Sequence, residues 1–434
     1  MHEMSSDALA ESEELLKQLD SLRKFNSKYN VYPYGEAAKL LENMRIVADS
    51  ITENPEPESK EEVIFSELKR RLEGEATSLE QGLQPTHYDF DKVVSAYATP
   101  KLDIEALRPW LEENREKTLN AIKRIHDTNE IQKYELGLPV DIPGVRRQSE
   151  EFASVHIQRY HKRLGKMLED LSEAAEFLRE IDAAPTTQKR SYFNYITKTL
   201  ALGIPAITFL SEDGTLQLRE RELIKLYGHE GMGHALNKVI TNSNNIPYFL
   251  TQESSLITGT QESMAQFYQN VIFEDLKKSP ETQKDLGIKH KFEEIYQEAK
   301  DISQLEEYQS KLFQYAIKVM SDKSLGEPQN RQTVQKKVNL ISEVTLDPSY
   351  PLSIVENNRQ NFDSQGNLNS ALVSELRYCA KPVDRVLKEF ESKGITYEGE
   401  GRSLIDSTLL KGFWTPIGYE QNAKLVAEEN KDKF

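Results

Sequence analysis

Glycine is scarce in this chain, 20 in 434 residues, yet Gly228, Gly231 and Gly233 fall within six consecutive positions. They sit inside "LYGHEGMGHALNKV", residues 226–239, part of a stretch that reads as one helix over about 216–240. A glycine inside a helix costs about 1 kcal/mol relative to alanine. A helix with no duty beyond packing has no evident use for three of them. Among them stand His229 and Glu230, and His234 directly follows the last. In a regular α-helix, residues five apart point about 140° away from each other, whereas residues four apart differ by about 40°. A π-type widening of one turn brings the fifth residue back toward the same face, and such widenings cluster at functional sites. The sequence therefore predicts a locally widened helix in which Gly231 and Gly233 permit the distortion and His229 and His234 share a face.

Much of the remaining sequence reads as helix. Apolar residues recur at helical spacing through 7–50, as Leu15, Leu16, Leu19 and Leu22 and then Ala38, Leu40, Leu41 and Met44, with a break near "NVYPYG". Further helices are expected at 62–81, 103–132, 145–181, 260–278, 290–322, 329–344, 371–392 and 403–410. β-branched and aromatic residues concentrate in "RSYFNYITKTLALGIPAITFLSEDG", 190–214, where two short strands, or one strand and a turn, are expected just before the histidine helix. The fold expected is mainly α, with a small β element beside that helix. An N-terminal long-helix region, 1–185, would precede a region carrying the site, 186–434, as two parts or one continuous domain.

Composition narrows the function classes. The formal charge is −16, and no basic patch offsets it, which argues against nucleic acid and anionic membrane as partners. No apolar run is long enough to span a bilayer, and the first residues lack a signal-peptide pattern, so a cytoplasmic protein is expected. With a single cysteine, Cys379, read as a small buried apolar residue, any metal must be held by histidine and carboxylate. Of the eight histidines, His156 and His161 are also five apart. No glutamate base adjoins them, so they read as a charged helix face, and His87 and His126 have no visible partner.

The order His-Glu-x-x-Gly-His resembles the zinc motif of the dipeptidyl-peptidase III family. The following "GHAL" and the segment 191–273 are similar to thermostable carboxypeptidases and thimet-type oligopeptidases. These are gluzincin-type zinc peptidases, mainly helical, in which a downstream glutamate is the third ligand. The resemblance implies one Zn²⁺ per chain on His229, His234 and such a glutamate, with Glu230 as catalytic base and oligopeptides as substrates. Glu253 and Glu262 both qualify, in the near-duplicate "TQESSLITGTQES". Glu262 is preferred because it opens an amphipathic helix, 28 positions after His234, and a ligand on a packed helix is better oriented than one on a loop. One turn on, Gln266 is placed to reach a metal ligand from behind. The strand around 204–210 is expected to pair with an extended peptide. For the developing oxyanion the candidates are Arg377, Tyr378 and Tyr419, with Tyr397 a further possibility. Two other readings use the same residues: a helical binding or scaffold protein of peptidase descent without turnover, and a zinc hydrolase of a non-peptide amide.

Overall fold

The computed structural model describes residues 6–29, 33–52, 54, 57–83, 104–128, 143–211, 213–243, 246–251, 256–325, 331–347 and 382–434. Three helices, α1 (Ser6–Tyr29), α2 (Tyr34–Ser50) and α3 (Lys60–Leu83), pack on one another. They bury the leucines and methionine that the periodicity singled out, including Leu15, Leu19, Leu40 and Met44. Two longer helices follow, α4 (Ile104–Thr128) and α5 (Pro143–Glu169), and then the small β element.

That element is a three-stranded sheet, β1 (Asp182–Thr186), β2 (Tyr192–Asn194) and β3 (Thr199–Gly203), in the order β1-β3-β2. β1 runs parallel to β3 and β2 antiparallel to it. Strand β1, "DAAPT", has no periodicity to announce it. Its proline is tolerated because the strand lies at the sheet edge. The expected strand at 204–210 is corrected: Ile204–Ile207 forms one helical turn, and only β4 (Thr208–Leu210) is extended, paired with β5 (Leu216–Leu218). The hairpin turns at Gly214, whose φ of 77° is in the left-handed region that glycine tolerates.

The histidine helix therefore begins later than expected. It runs as α6 (Glu220–Leu226), a π-helix at Tyr227–Leu236, and α7 (Asn237–Ser243). Then come α8 (Thr258–Lys277), α9 (Pro280–Leu286), α10 (Phe292–Ser321), α11 (Arg331–Ser342), α12 (Pro382–Ser392), α13 (Gly399–Leu409) and α14 (Pro416–Asn430). The last of these went unread in the sequence although its start is marked. Thr415 caps Gly418 N with its side chain, and Pro416 occupies the first turn. One continuous hydrophobic core joins residues from Leu15 to Ala427 and so crosses the 185/186 division. A smaller cluster lies where α4, α10 and the end of α11 meet, around Leu111, Tyr308, Leu312 and Ile341. No described helix is long and apolar enough to cross a membrane.

Candidate metal centre

The ten residues Tyr227–Leu236 wind as π-helix, which is the widening that five-residue histidine spacing requires. His229 and His234 come to one face with ring centroids 5.1 Å apart and planes at 80°. Met232 points the other way and is buried in the core at 1% exposure. Opposite the histidines, α8 presents Glu262. Its Oε2 lies 3.6 Å from Nε2 of His229, and its Oε1 lies 3.6 Å from Nε2 of His234. Ligating atoms of all three residues fall within 4.8 Å of one another.

Two of the glycines have a role other than the one expected. Neither Gly231 nor Gly233 has a positive φ, so the widened turn does not need glycine's backbone freedom. A Cβ on Gly233 would stand 2.4 Å from Cα of Ala265, and one on Gly228 would stand 2.7 Å from the Tyr268 carbonyl oxygen. The missing side chains let α8 lie directly on the π-helix, and this close approach carries Glu262 to the histidines. Gly231 faces Leu200 of β3 at an ordinary contact distance of 3.4 Å.

The electrostatics suit a cation. Burial, aided by the positive charge of Lys225, lowers His229 to about 4, so the imidazole is neutral near pH 7 and keeps a lone pair. Gln269 is the side chain that acts in the opposite sense on this ring. Burial raises Glu262 to about 7, and burial together with repulsion from Glu262 raises Glu230 to about 7. At 3.6 Å the imidazole nitrogens are not hydrogen-bonded to the carboxylate. Nδ1 of His229 is buried without a hydrogen bond. Two imidazoles and a carboxylate thus converge on one point. Tetrahedral Zn²⁺ with ligands at 2.0–2.2 Å sets neighbouring ligand atoms about 3.3 Å apart, and the ligand atoms of the three residues here lie within 4.8 Å of one another. Two imidazoles and a carboxylate are donors of the kind that could hold a divalent cation such as zinc.

Behind His229 the supporting amide is Gln269 rather than Gln266, which makes no hydrogen bond among the described residues. Gln269 donates to Glu306 Oε2 at 3.2 Å, and Glu306 Oε1 accepts from Lys225 at 2.7 Å, tying α8, α10 and α6 together behind the site. The seven-residue spacing from Glu262 to Gln269 was a usable signal, since seven residues return a helix to within about 20° of the same direction.

The other sequence candidates divide. Arg377, Tyr378, Cys379, Glu253 and His87 lie outside the described residues. Tyr419 is 1% exposed and donates its hydroxyl to the Leu409 carbonyl at 3.0 Å, inside the core. Tyr397 donates to Asp406 at 2.6 Å. Both hydroxyls are engaged in the packing around α13 rather than turned toward the histidines. His161 does not sit on a solvated charged face. It is half-buried, lowered by burial, and its Nδ1 lies 3.1 Å from the hydroxyl of Tyr227, the first residue of the π-helix. No family model, curated protein or solved structure matches the chain.

Proposed function

We propose that this chain is a zinc-dependent metallopeptidase acting on oligopeptides, with His229, His234 and Glu262 holding the metal and Glu230 serving as general base. The observation that carries the reading is the convergence of two imidazoles and a carboxylate across the π-helix and α8, with a second carboxylate next in sequence to one of the histidines. Zinc at such a site supplies Lewis acidity, polarising the scissile carbonyl and lowering the pKa of the attacking water. Glu230, raised to about 7, takes up a proton near neutral pH and delivers it to the leaving amine. Its half-buried position keeps that proton out of bulk water. His229, neutral and backed by Gln269, keeps its lone pair toward the site.

The edge strand β2 lies against the π-helix and has no strand partner on its outer side among the described residues. In this reading an extended peptide pairs with β2, beside the half-exposed Tyr195, rather than with 204–210.

Purified protein should contain close to one equivalent of zinc by plasma emission spectrometry, and His229→Ala should weaken zinc binding by at least about a hundredfold. Glu230→Gln should keep the metal and lower turnover of a quenched-fluorescent peptide library by about 10³-fold or more. Zinc-free wild-type protein that binds no added zinc would sink the proposal. Zinc retained with no hydrolysis in wild-type protein would instead favour a binding protein.

A further inference from the structure

The two ring nitrogens of His229 have different surroundings. Nε2 faces the metal centre, 3.6 Å from Glu262 Oε2. Nδ1 is buried and makes no hydrogen bond. A neutral imidazole carries one proton and one lone pair, and the nitrogen that holds the proton cannot hold a metal. On the reading of His229 as a zinc ligand, the lone pair has to sit on Nε2 and the proton on Nδ1. The group beside the ring that can decide this is the amide of Gln269, itself buried. Gly228, which precedes His229, lets α8 come so close that a Cβ on it would stand 3.0 Å from Gln269 Cα. Gln269 also opposes the lowering of the His229 pKa, as an acceptor facing the ring does.

An amide has a donor end and an acceptor end, and only the acceptor end suits a protonated Nδ1. A carboxylate behind an imidazole accepts whichever way it is turned, whereas an amide serves only if a third group fixes its orientation. That third group stands on the far side of Gln269. The amide nitrogen of Gln269 donates to Glu306 Oε2 at 3.2 Å, and Glu306 Oε1 accepts from the Lys225 ammonium at 2.7 Å. A carboxylate paired with an ammonium accepts and does not donate, so the NH₂ end of the amide belongs to Glu306 and its carbonyl is left for the histidine. We propose that Glu306, anchored by Lys225, is a positioning residue that acts through Gln269, turning its carbonyl to His229 so that the ring keeps its proton on Nδ1 and offers Nε2 to the metal. The reversed amide would set carbonyl against carboxylate and NH₂ against Nδ1, moving the lone pair to the nitrogen that lies away from Glu262.

The tautomer is read by long-range proton–nitrogen correlation in the metal-free, full-length protein with isotopically labelled histidine, above neutral pH. The His229 signals are those lost in His229→Ala. Wild-type protein should show a protonated Nδ1 and a bare Nε2. Glu306→Gln places a side chain that donates as well as accepts against the amide. It should move His229 toward the other tautomer and weaken zinc binding about tenfold or more. The side chain of Glu306 is 41% exposed, so the isosteric change is mild, and circular dichroism checks that the variant is folded. Gln269→Glu/Glu306→Gln exchanges the two groups, keeps an acceptor toward the ring, and should restore both the tautomer and the zinc affinity. A merely structural bridge between α8 and α10 would survive Glu306→Gln and leave the ring spectrum unmoved. A bare Nδ1 in wild type overturns the proposal, as does an unchanged tautomer in Glu306→Gln or a double variant that fails to restore it. Wild-type protein that bound no zinc would end the metal reading instead, while the ring spectrum alone decides the role of Glu306.

Discussion

Helix α8 contributes to two buried polar clusters and completes only one of them with its own counter-charge. From one face it offers Glu262 and Gln269 to the histidine helix. From another it offers Tyr268 and Asp275 to α13. There Asp275 is held bidentately by Arg402 at 2.6 and 2.7 Å, and Asp406 accepts from Tyr268 at 2.8 Å and Tyr397 at 2.6 Å. Burial still raises Asp406, but Arg402 and the donors oppose it. Glu262, with burial as the cause acting on it, stands at about 7. The Asp406 cluster carries its cation covalently, as an arginine. The histidine cluster has the acceptors and not the cation. Both occupy the same core and differ in whether the sequence supplies the positive charge. On the reading proposed above, that difference separates a structural cluster from a ligand site.

The most severe way to break the comparison is to remove the built-in cation. Arg402→Leu leaves Asp275 and Asp406 buried without counter-charge and should cost about 3–5 kcal/mol in chemical denaturation, a loss that added zinc does not restore. Rescue by zinc would mean that the two clusters are not distinct in kind.

A second effect, somewhat smaller for each group, should come from pH. Glu262 and Glu230 have folded values raised from 4.5 to about 7, so the folded metal-free protein holds protons that the unfolded chain has released. Their contribution is fully present below pH 4.5 and is lost as pH rises through 7. Metal-free stability should therefore fall by roughly 3 kcal/mol per carboxylate at most across that window. Glu262→Gln should flatten the fall, and zinc should reverse it, because the metal binds the deprotonated carboxylate. A metal-free protein that gains stability from these groups between pH 5 and 7 would contradict the assignment.

The smallest effect concerns contact rather than charge. Gly233→Ala places a methyl against Ala265 and should destabilise the metal-free fold by about 1–3 kcal/mol while weakening zinc binding. Gly231→Ala, where the nearest atom is Leu200 at 3.4 Å, should be close to neutral by thermal melting. Equal effects at the two positions would restore the view that both glycines serve backbone distortion.

Residue spacing alone determined much of the site. The five-residue spacing of His229 and His234 required a widened turn if the two were to share a face, because helix geometry is local and periodic, and the structure winds 227–236 as π-helix. The amphipathic pattern after Glu262 likewise identified a packed helix able to hold a ligand in place, and the structure brings Glu262 to both histidines. The leucine periodicity of α1 and α2 gave their buried faces for the same reason. What the tertiary structure decided is what meets across space. Gly228 and Gly233 are small because α8 lies on them, a fact about a partner helix distant in the chain that no local pattern encodes. Gln269 rather than Gln266 supports His229 because α10 and α6 place Glu306 and Lys225 behind it. The proline-bearing strand β1 exists because β3 offers it an edge. Periodicity reports which way a side chain points along its own element, whereas the distance of closest approach between elements is set only when the core is assembled.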